Sequence, residues 1–143
     1  MKPIQSLYQY AEKHHIEVIP FSLPETRSMS IETDDRAHYI GMDYESFDSQ
    51  ADERVHLTHE IGHCMTGSFY NRYTKMDLRQ RHENRADKWA IRKLIPADKL
   101  DAAIADGHTE LWDLAEYFDV TEDFMRKAVC YYTHGNLAAE LYF

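Results

Sequence analysis

The chain has 143 residues and a formal net charge of −9. That is long enough for one domain with its own core, and too acidic for a nucleic-acid phosphate backbone to be its main partner. Two cysteines, Cys64 and Cys130, make no disulfide framework and suit a reducing compartment. The start, Met1-Lys2-Pro3-Ile4-Gln5, lacks the apolar run of a signal peptide, and no stretch is apolar enough to span a bilayer. The expected location is therefore the cytoplasm, without a membrane partner.

Pro3 to His15 reads as an opening helix, with Ile4, Leu7, Tyr8 and Ala11 at helical spacing. The period then changes, and Ile16 to Phe21 reads as a strand closed by Pro20. Ser28 to Thr33 and His38 to Met42 are two more strand candidates, joined by a hairpin turn at Asp34-Asp35-Arg36. These segments predict a small antiparallel sheet. Ser49 to Glu53, with carboxylates at Asp52 and Glu53, suits the start of a helix.

That helix carries His59-Glu60-Ile61-Gly62-His63, an H-E-x-x-H pattern within Val55 to Gly67. Residues four apart share a helix face, so His59 and His63 can offer imidazole nitrogens to one metal ion. Glu60 falls on the same side, where it can serve as general base toward a metal-activated water. At roughly 100° per residue, Leu57, Ile61, Cys64 and Met65 gather on the opposite, core-facing side. Gly67 ends the helix. Cys64, on the core side, is not a ligand candidate.

Ser68 to Arg81 has little periodicity and reads as a loop carrying Phe69, Tyr70 and Tyr73 past the metal. A second helix is predicted from His82 to Leu94, stopped by Ile95-Pro96. Helical pieces follow at Asp98 to Asp106, Glu110 to Phe118 and Glu122 to Tyr132, and the tail from Gly135 to Phe143 reads as irregular. With no repeat, low-complexity segment or linker, residues 1–143 are expected to form one domain that includes the helical pair 109–133.

A catalytic zinc site needs three protein ligands. The extended pattern with a glycine and a third histidine fails, because Thr66 and Phe69 stand at those positions. Asp77 in the loop has no supporting pattern. Glu83 is better placed, since Glu83, Ala86, Asp87, Ala90 and Leu94 share one face of the second helix and Arg85, Lys88 and Arg92 the other. A metal would resolve the cost of an inward-facing carboxylate at Glu83. Asp87, one turn on, could accept the remaining ring N–H of a liganding histidine. His82 is the rival ligand, and it faces away if Glu83 faces in.

His59-Glu60-Ile61-Gly62-His63, followed by Glu83-x-x-Ala86-Asp87-x-Trp89-Ala90 and Leu94-Ile95-Pro96, resembles the ImmA/IrrE family of metallopeptidases. The likeness extends from the opening helix to Leu114-Ala115-Glu116-Tyr117-Phe118-Asp119-Val120. It implies an α+β, zincin-like minimal metallopeptidase binding one Zn2+ through His59, His63 and Glu83, with Glu60 as catalytic base. Relatives in that family are often encoded on phages and mobile elements beside a helix-turn-helix repressor, and some cleave it. The implied partner is thus a protein substrate of that kind. Many relatives have asparagine where this chain has Asp87, and either residue can orient a ligand.

A donor to the developing oxyanion would assist such a reaction. Tyr70 and Tyr73 in the loop, and His56 one turn before His59, are the candidates. Two other functions compete with peptide hydrolysis. Leu111 to Tyr132 has helix-turn-helix spacing, with Ala115, Phe124 and Val129 at core positions. Six carboxylates between Glu110 and His134 face only Arg126 and Lys127, and Glu122 and Asp123 open the would-be recognition helix, so direct nucleic-acid binding is not expected. The other competitor is a protein that keeps the fold but acts by binding, as an antirepressor or a toxin–antitoxin component.

Overall fold

Leu7 and Ala11, one turn apart, form the buried face of the first helix, α1 (Gln5–Lys13). The computed structural model of the protein describes residues 3–141. His15, left-handed at φ 61°, then turns the chain into strand β1 (Ile16–Pro20). Strands β2 (Ser28–Glu32) and β3 (His38–Met42) complete a three-stranded sheet in the order β1-β3-β2.

The sheet corrects one expectation. β2 and β3 form the predicted antiparallel hairpin, with Ser28 opposite Met42 and Glu32 opposite His38, but β1 runs parallel to β3. Local pattern fixes each strand, whereas the segment after Pro20 fixes their order. There Phe21 N–H donates to Met42 O at 3.0 Å, and Leu23 N–H to an Asp43 carboxylate oxygen at 3.0 Å. These bonds lead the chain past the end of β3, so the next strand adds on the far side. The middle strand is thereby the buried one, with Ile40 and Met42 fully covered, and β2 is left as an edge.

The site helix, α2 (Gln50–Thr66), is capped at both ends. Ser49 Oγ accepts the Asp52 N–H at 3.1 Å, an N-cap of the kind that contributes about 1 kcal/mol. At the other end Gly67 adopts φ 65°, a conformation that glycine takes without a Cβ penalty. Leu57, Ile61 and Cys64 are buried against the sheet and α1, while Met65 is 37% exposed. Eight residues beyond Leu57, Met65 has rotated roughly 80° off the buried stripe, which corrects the expectation that it packs into the core.

The following helix, α3 (Met76–Leu94), starts six residues before the predicted His82, so the true loop is short. Its first turns show no inward periodicity because they have no inward face: Met76 and Leu78 are exposed, and Lys75 offers no side-chain cap. Ala86, Ala90 and Ile91 are fully buried further along. Helices α4 (Ala97–Ala105), α5 (Leu111–Phe118) and α6 (Glu122–His134) enclose a second core group around Ile95, Leu114, Phe124 and Met125. Val129 is 36% exposed rather than core, and Met125 and Ala128 occupy the buried face instead. Five residues after Phe124, Val129 lies roughly 140° round the helix. The tail is also more regular than expected, since α7 (Ala138–Leu141) forms there; positions 142 and 143 lie outside the described residues.

The helical pair is tied to the site helix. Arg54, itself 4% exposed, donates from Nε and Nη2 to Asp119 Oδ2 at 3.3 and 3.1 Å, and Asp119 sits in the turn between α5 and α6. Among the described residues no helix is long and apolar enough to cross a membrane.

Candidate metal centre

Acceptor atoms of three side chains converge between α2 and α3. His59 Nε2 lies 3.2 Å from His63 Nε2 and 2.7 Å from Glu83 Oε2, while His63 Nε2 is 3.2 Å from Glu83 Oε1. All three ligand atoms fall within 4.8 Å of one another. Donors held about 2.0–2.1 Å from a tetrahedral ion stand about 3.3 Å apart, so the observed spacing suits a single metal. Glu83 is in the interior of α3, seven residues past its start. His59 meets both Glu83 and Asp87, and His63 meets only Glu83, so the two helices run antiparallel across the site.

The far sides of both rings decide their tautomers. His63 Nδ1–H donates to the Ser68 carbonyl at 2.6 Å, and His59 Nδ1–H to Asp87 Oδ1 at 2.8 Å. Each ring, when neutral, therefore presents a lone pair from Nε2. Two nitrogen lone pairs and a carboxylate aimed at one point repel one another unless positive charge lies between them, either a metal ion or the proton that His59 shares with Glu83 at 2.7 Å. The residues present thus fit a divalent metal, and a nitrogen–oxygen donor set of this kind suits zinc.

The electrostatics carry the same imprint. Burial opposes charge on His59, but hydrogen bonds to Asp87 and Glu83, with the field of Asp87 and Glu60, raise its pKa to about 10. Burial would lift the Glu83 pKa, yet the bonds from His59 and His63 hold it far below the usual carboxylate range. Asp87 is likewise lowered against its burial by His59 and by Lys127. The Lys127 ammonium, from α6, donates to Asp87 Oδ2 at 3.3 Å.

Glu60 points into the same space. It is 6% exposed, and its Oε2 accepts a hydrogen bond from Ser28 Oγ at 2.7 Å. His56, whose pKa is lowered chiefly by burial, lies with Nδ1 2.9 Å from the same Ser28 oxygen. Tyr70 donates its hydroxyl to Glu83 Oε1 at 2.7 Å, and burial together with that bond pushes its pKa up to about 12. Tyr73 is not brought to the site. The turn at Asn71 to Thr74, closed by Tyr73 N–H to Asn71 Oδ1 at 2.8 Å, leaves its ring 80% exposed beside Arg72.

The competing ligands are also elsewhere. Asp77 is exposed in the first turn of α3. His82 stacks on Tyr70 with ring centroids 6.2 Å apart, outside the donor cluster. Cys64 is buried and its thiol pushed up to about 12, chiefly by that burial, so it stays neutral on the core side.

A cleft of about 1090 Å³ runs over these groups. Its walls are Ser28 to Ile31 of the edge strand, Phe69 to Arg72 of the loop, Thr121 at the N-cap of α6, and Phe124 and Lys127 within it. Four contributors escaped the sequence reading: Ser28, the Ser68 carbonyl, Lys127 and Gly62. An ideal Cβ on Gly62 would lie 2.7 Å from the Ala86 carbonyl oxygen, so glycine there lets α2 and α3 approach closely enough to bring His59, His63 and Glu83 together. The Gly62 position inside H-E-x-x-H was visible, but its packing partner was not.

Fold and site together define a class: an α+β metallopeptidase of the minimal zincin-like kind. More narrowly, the chain belongs to the peptidase M78 family, whose IrrE N-terminal-like domain matches residues 11–129. No curated protein and no solved structure matches the chain.

Proposed function

We propose that the protein is a zinc-dependent endopeptidase acting in the cytoplasm on a helix-turn-helix repressor of a phage or other mobile element. The observation that carries the chemistry is the convergence of His59 Nε2, His63 Nε2 and Glu83 within 4.8 Å beside the buried Glu60. The substrate class rests on the family resemblance.

Zinc, when bound there, supplies Lewis acidity that polarises a peptide carbonyl and lowers the pKa of a coordinated water to about 7. Glu60 is the base that accepts a proton from the attacking water and returns it to the leaving amine. Asp87 and the Ser68 carbonyl hold the two imidazoles in the ligating tautomer. Tyr70, already bonded to a ligand oxygen, is the favoured donor to the oxyanion; His56 is engaged with Ser28 on the other side of Glu60. The free edge of β2 along the cleft gives an extended peptide backbone a partner. Residues 1–143 act as one domain in this account, with α6 walling the cleft rather than contacting DNA.

The test is incubation of the purified protein with a helix-turn-helix repressor encoded next to its gene, with and without a chelator, alongside Glu60→Gln. Expected are discrete fragments that disappear with chelator, return with zinc and never form with Glu60→Gln. An intact repressor held in a stable complex would instead support a protein that acts by binding.

A further inference from the structure

Ser28 opens the edge strand β2 and is 6% exposed, with its hydroxyl between two side chains of the site helix. Oγ donates to Glu60 Oε2 at 2.7 Å and lies 2.9 Å from His56 Nδ1. A serine hydroxyl carries one proton. Directed to Glu60, that proton leaves Oγ only as an acceptor toward the ring, so His56 donates from Nδ1. The result is an ordered chain, His56 to Ser28 to Glu60, whose two ends lie one turn apart on α2 and whose middle comes from a different element.

The residue before it shows that this placement is enforced. Arg27 is left-handed at φ 70°, a conformation that disfavours a residue with a Cβ. Contacts on several sides hold it there. Its N–H donates to Leu23 O at 2.8 Å, its carbonyl accepts the Asp43 N–H at 3.0 Å, and its guanidinium donates to Ser46 O at 2.7 Å and to Asp52. Asp52 also accepts from the Asp48 N–H at 3.1 Å, joining Arg27 to the N-terminal turn of the site helix. The chain thus enters Ser28 on a fixed course.

We propose that Ser28 is a positioning residue for Glu60. By engaging Oε2 it stops rotation of the carboxylate and leaves Oε1 as the oxygen that takes the proton. His56 in turn fixes the hydroxyl rotor. The inference rests on Glu60 being the general base. It adds that the base is aimed from the strand that also walls the cleft, rather than by its own helix alone. A misplacement of about 1 Å at a reacting group can cost on the order of a hundredfold in rate, which sets the scale of the expected effect.

The experiment compares wild type, Ser28→Ala, Ser28→Thr, Glu60→Gln, Glu60→Ala and the double variant Ser28→Ala/Glu60→Ala. Repressor cleavage gives kcat and KM, chelator competition gives zinc affinity, and denaturant unfolding gives the midpoint of each protein. For Ser28→Ala, kcat should fall about 10- to 100-fold, with KM and zinc affinity within about twofold of wild type. Ser28→Thr, which keeps the hydroxyl, should recover most of the rate. The unfolding shift caused by Ser28→Ala should change when Glu60 is already Ala, because contacting residues are not additive.

Wild-type kcat in Ser28→Ala would overturn the proposal. So would parallel losses of kcat and zinc affinity, which mark a merely structural role, or strictly additive unfolding shifts. Should Ser28→Ala not fold, Ser28→Cys keeps the volume with a weak donor, and full activity in that variant would be equally fatal. The unfolding cycle needs no substrate, so it still tests Ser28 if no repressor is cleaved. Cleavage surviving in Glu60→Gln would defeat the base assignment separately.

Discussion

Gly62→Ala is the substitution that most sharply separates the shape of the site from its ligands. The added Cβ would stand 2.7 Å from the Ala86 carbonyl oxygen and 3.3 Å from Ala86 Cα. Both are backbone atoms, so no rotamer change relieves the contact and Ala86→Gly would not rescue it. An ordinary van der Waals contact needs roughly 0.7 Å more, which α2 and α3 must supply by moving apart. His59 and His63 ride on α2 and Glu83 on α3, so the same movement opens the ligand triangle. Metal–ligand distances are tolerant to only about 0.2 Å. The expected outcome is a loss of about 1–3 kcal/mol from overpacking, partly offset by the up to about 1 kcal/mol by which alanine favours a helix over glycine, together with zinc affinity at least about tenfold weaker, the scale on which misdirected ligands act. Chelator competition and thermal unfolding, with and without zinc, measure both. Gly67→Ala is the control: its Cβ meets nothing within 4 Å but its φ of 65° strains any side chain, so it should lower stability and spare zinc affinity. Unchanged zinc affinity in Gly62→Ala would refute the idea that close helix approach builds the site.

Three further expectations follow from the same geometry. Asp87→Ala removes the acceptor of the His59 Nδ1–H and should weaken zinc binding about 10- to 100-fold, whereas Asp87→Asn, which keeps an acceptor, should stay close to wild type in chelator competition. Tyr70→Phe should lower kcat by about 100-fold if its hydroxyl serves the oxyanion, with zinc content unchanged; a loss of zinc without a separate effect on kcat would make it only a support for Glu83. Iodoacetamide at pH 8 should alkylate Cys130 and spare Cys64 in the folded protein, because the Cys64 thiol is buried and pushed up to about 12; labelling of Cys64 at a comparable rate, read by peptide mass spectrometry, would contradict its core placement.

Spacing made the ligand-bearing elements legible. His59 and His63 could be paired because a helix repeats every four residues, and Glu83 because it shares a face with Ala86 and Ala90. Neither inference needs tertiary information. The start of α3 was hidden, since Met76 and Leu78 are exposed and give no inward stripe. The parallel pairing of β1 with β3 was hidden because it depends on where Phe21 to Arg27 carries the chain, through bonds to Met42 and Asp43 that no local period reports. Ser28, Lys127 and the Ser68 carbonyl reach the site from separate elements. A serine in a short strand, a lysine on an acidic helix or a main-chain oxygen has no motif. Tyr73 shows the converse limit: its place in the sequence suited the site, but the Asn71 turn directs it to solvent.

Zinc-edge X-ray absorption on the protein loaded with one equivalent of zinc tests the central claim most directly. The account predicts a first shell of nitrogen and oxygen only, at about 2.0–2.1 Å, with the multiple scattering of two imidazoles, and its loss in His59→Ala, His63→Ala or Glu83→Ala. A sulfur neighbour at about 2.3 Å, or a spectrum unaltered by removing Glu83, would contradict it.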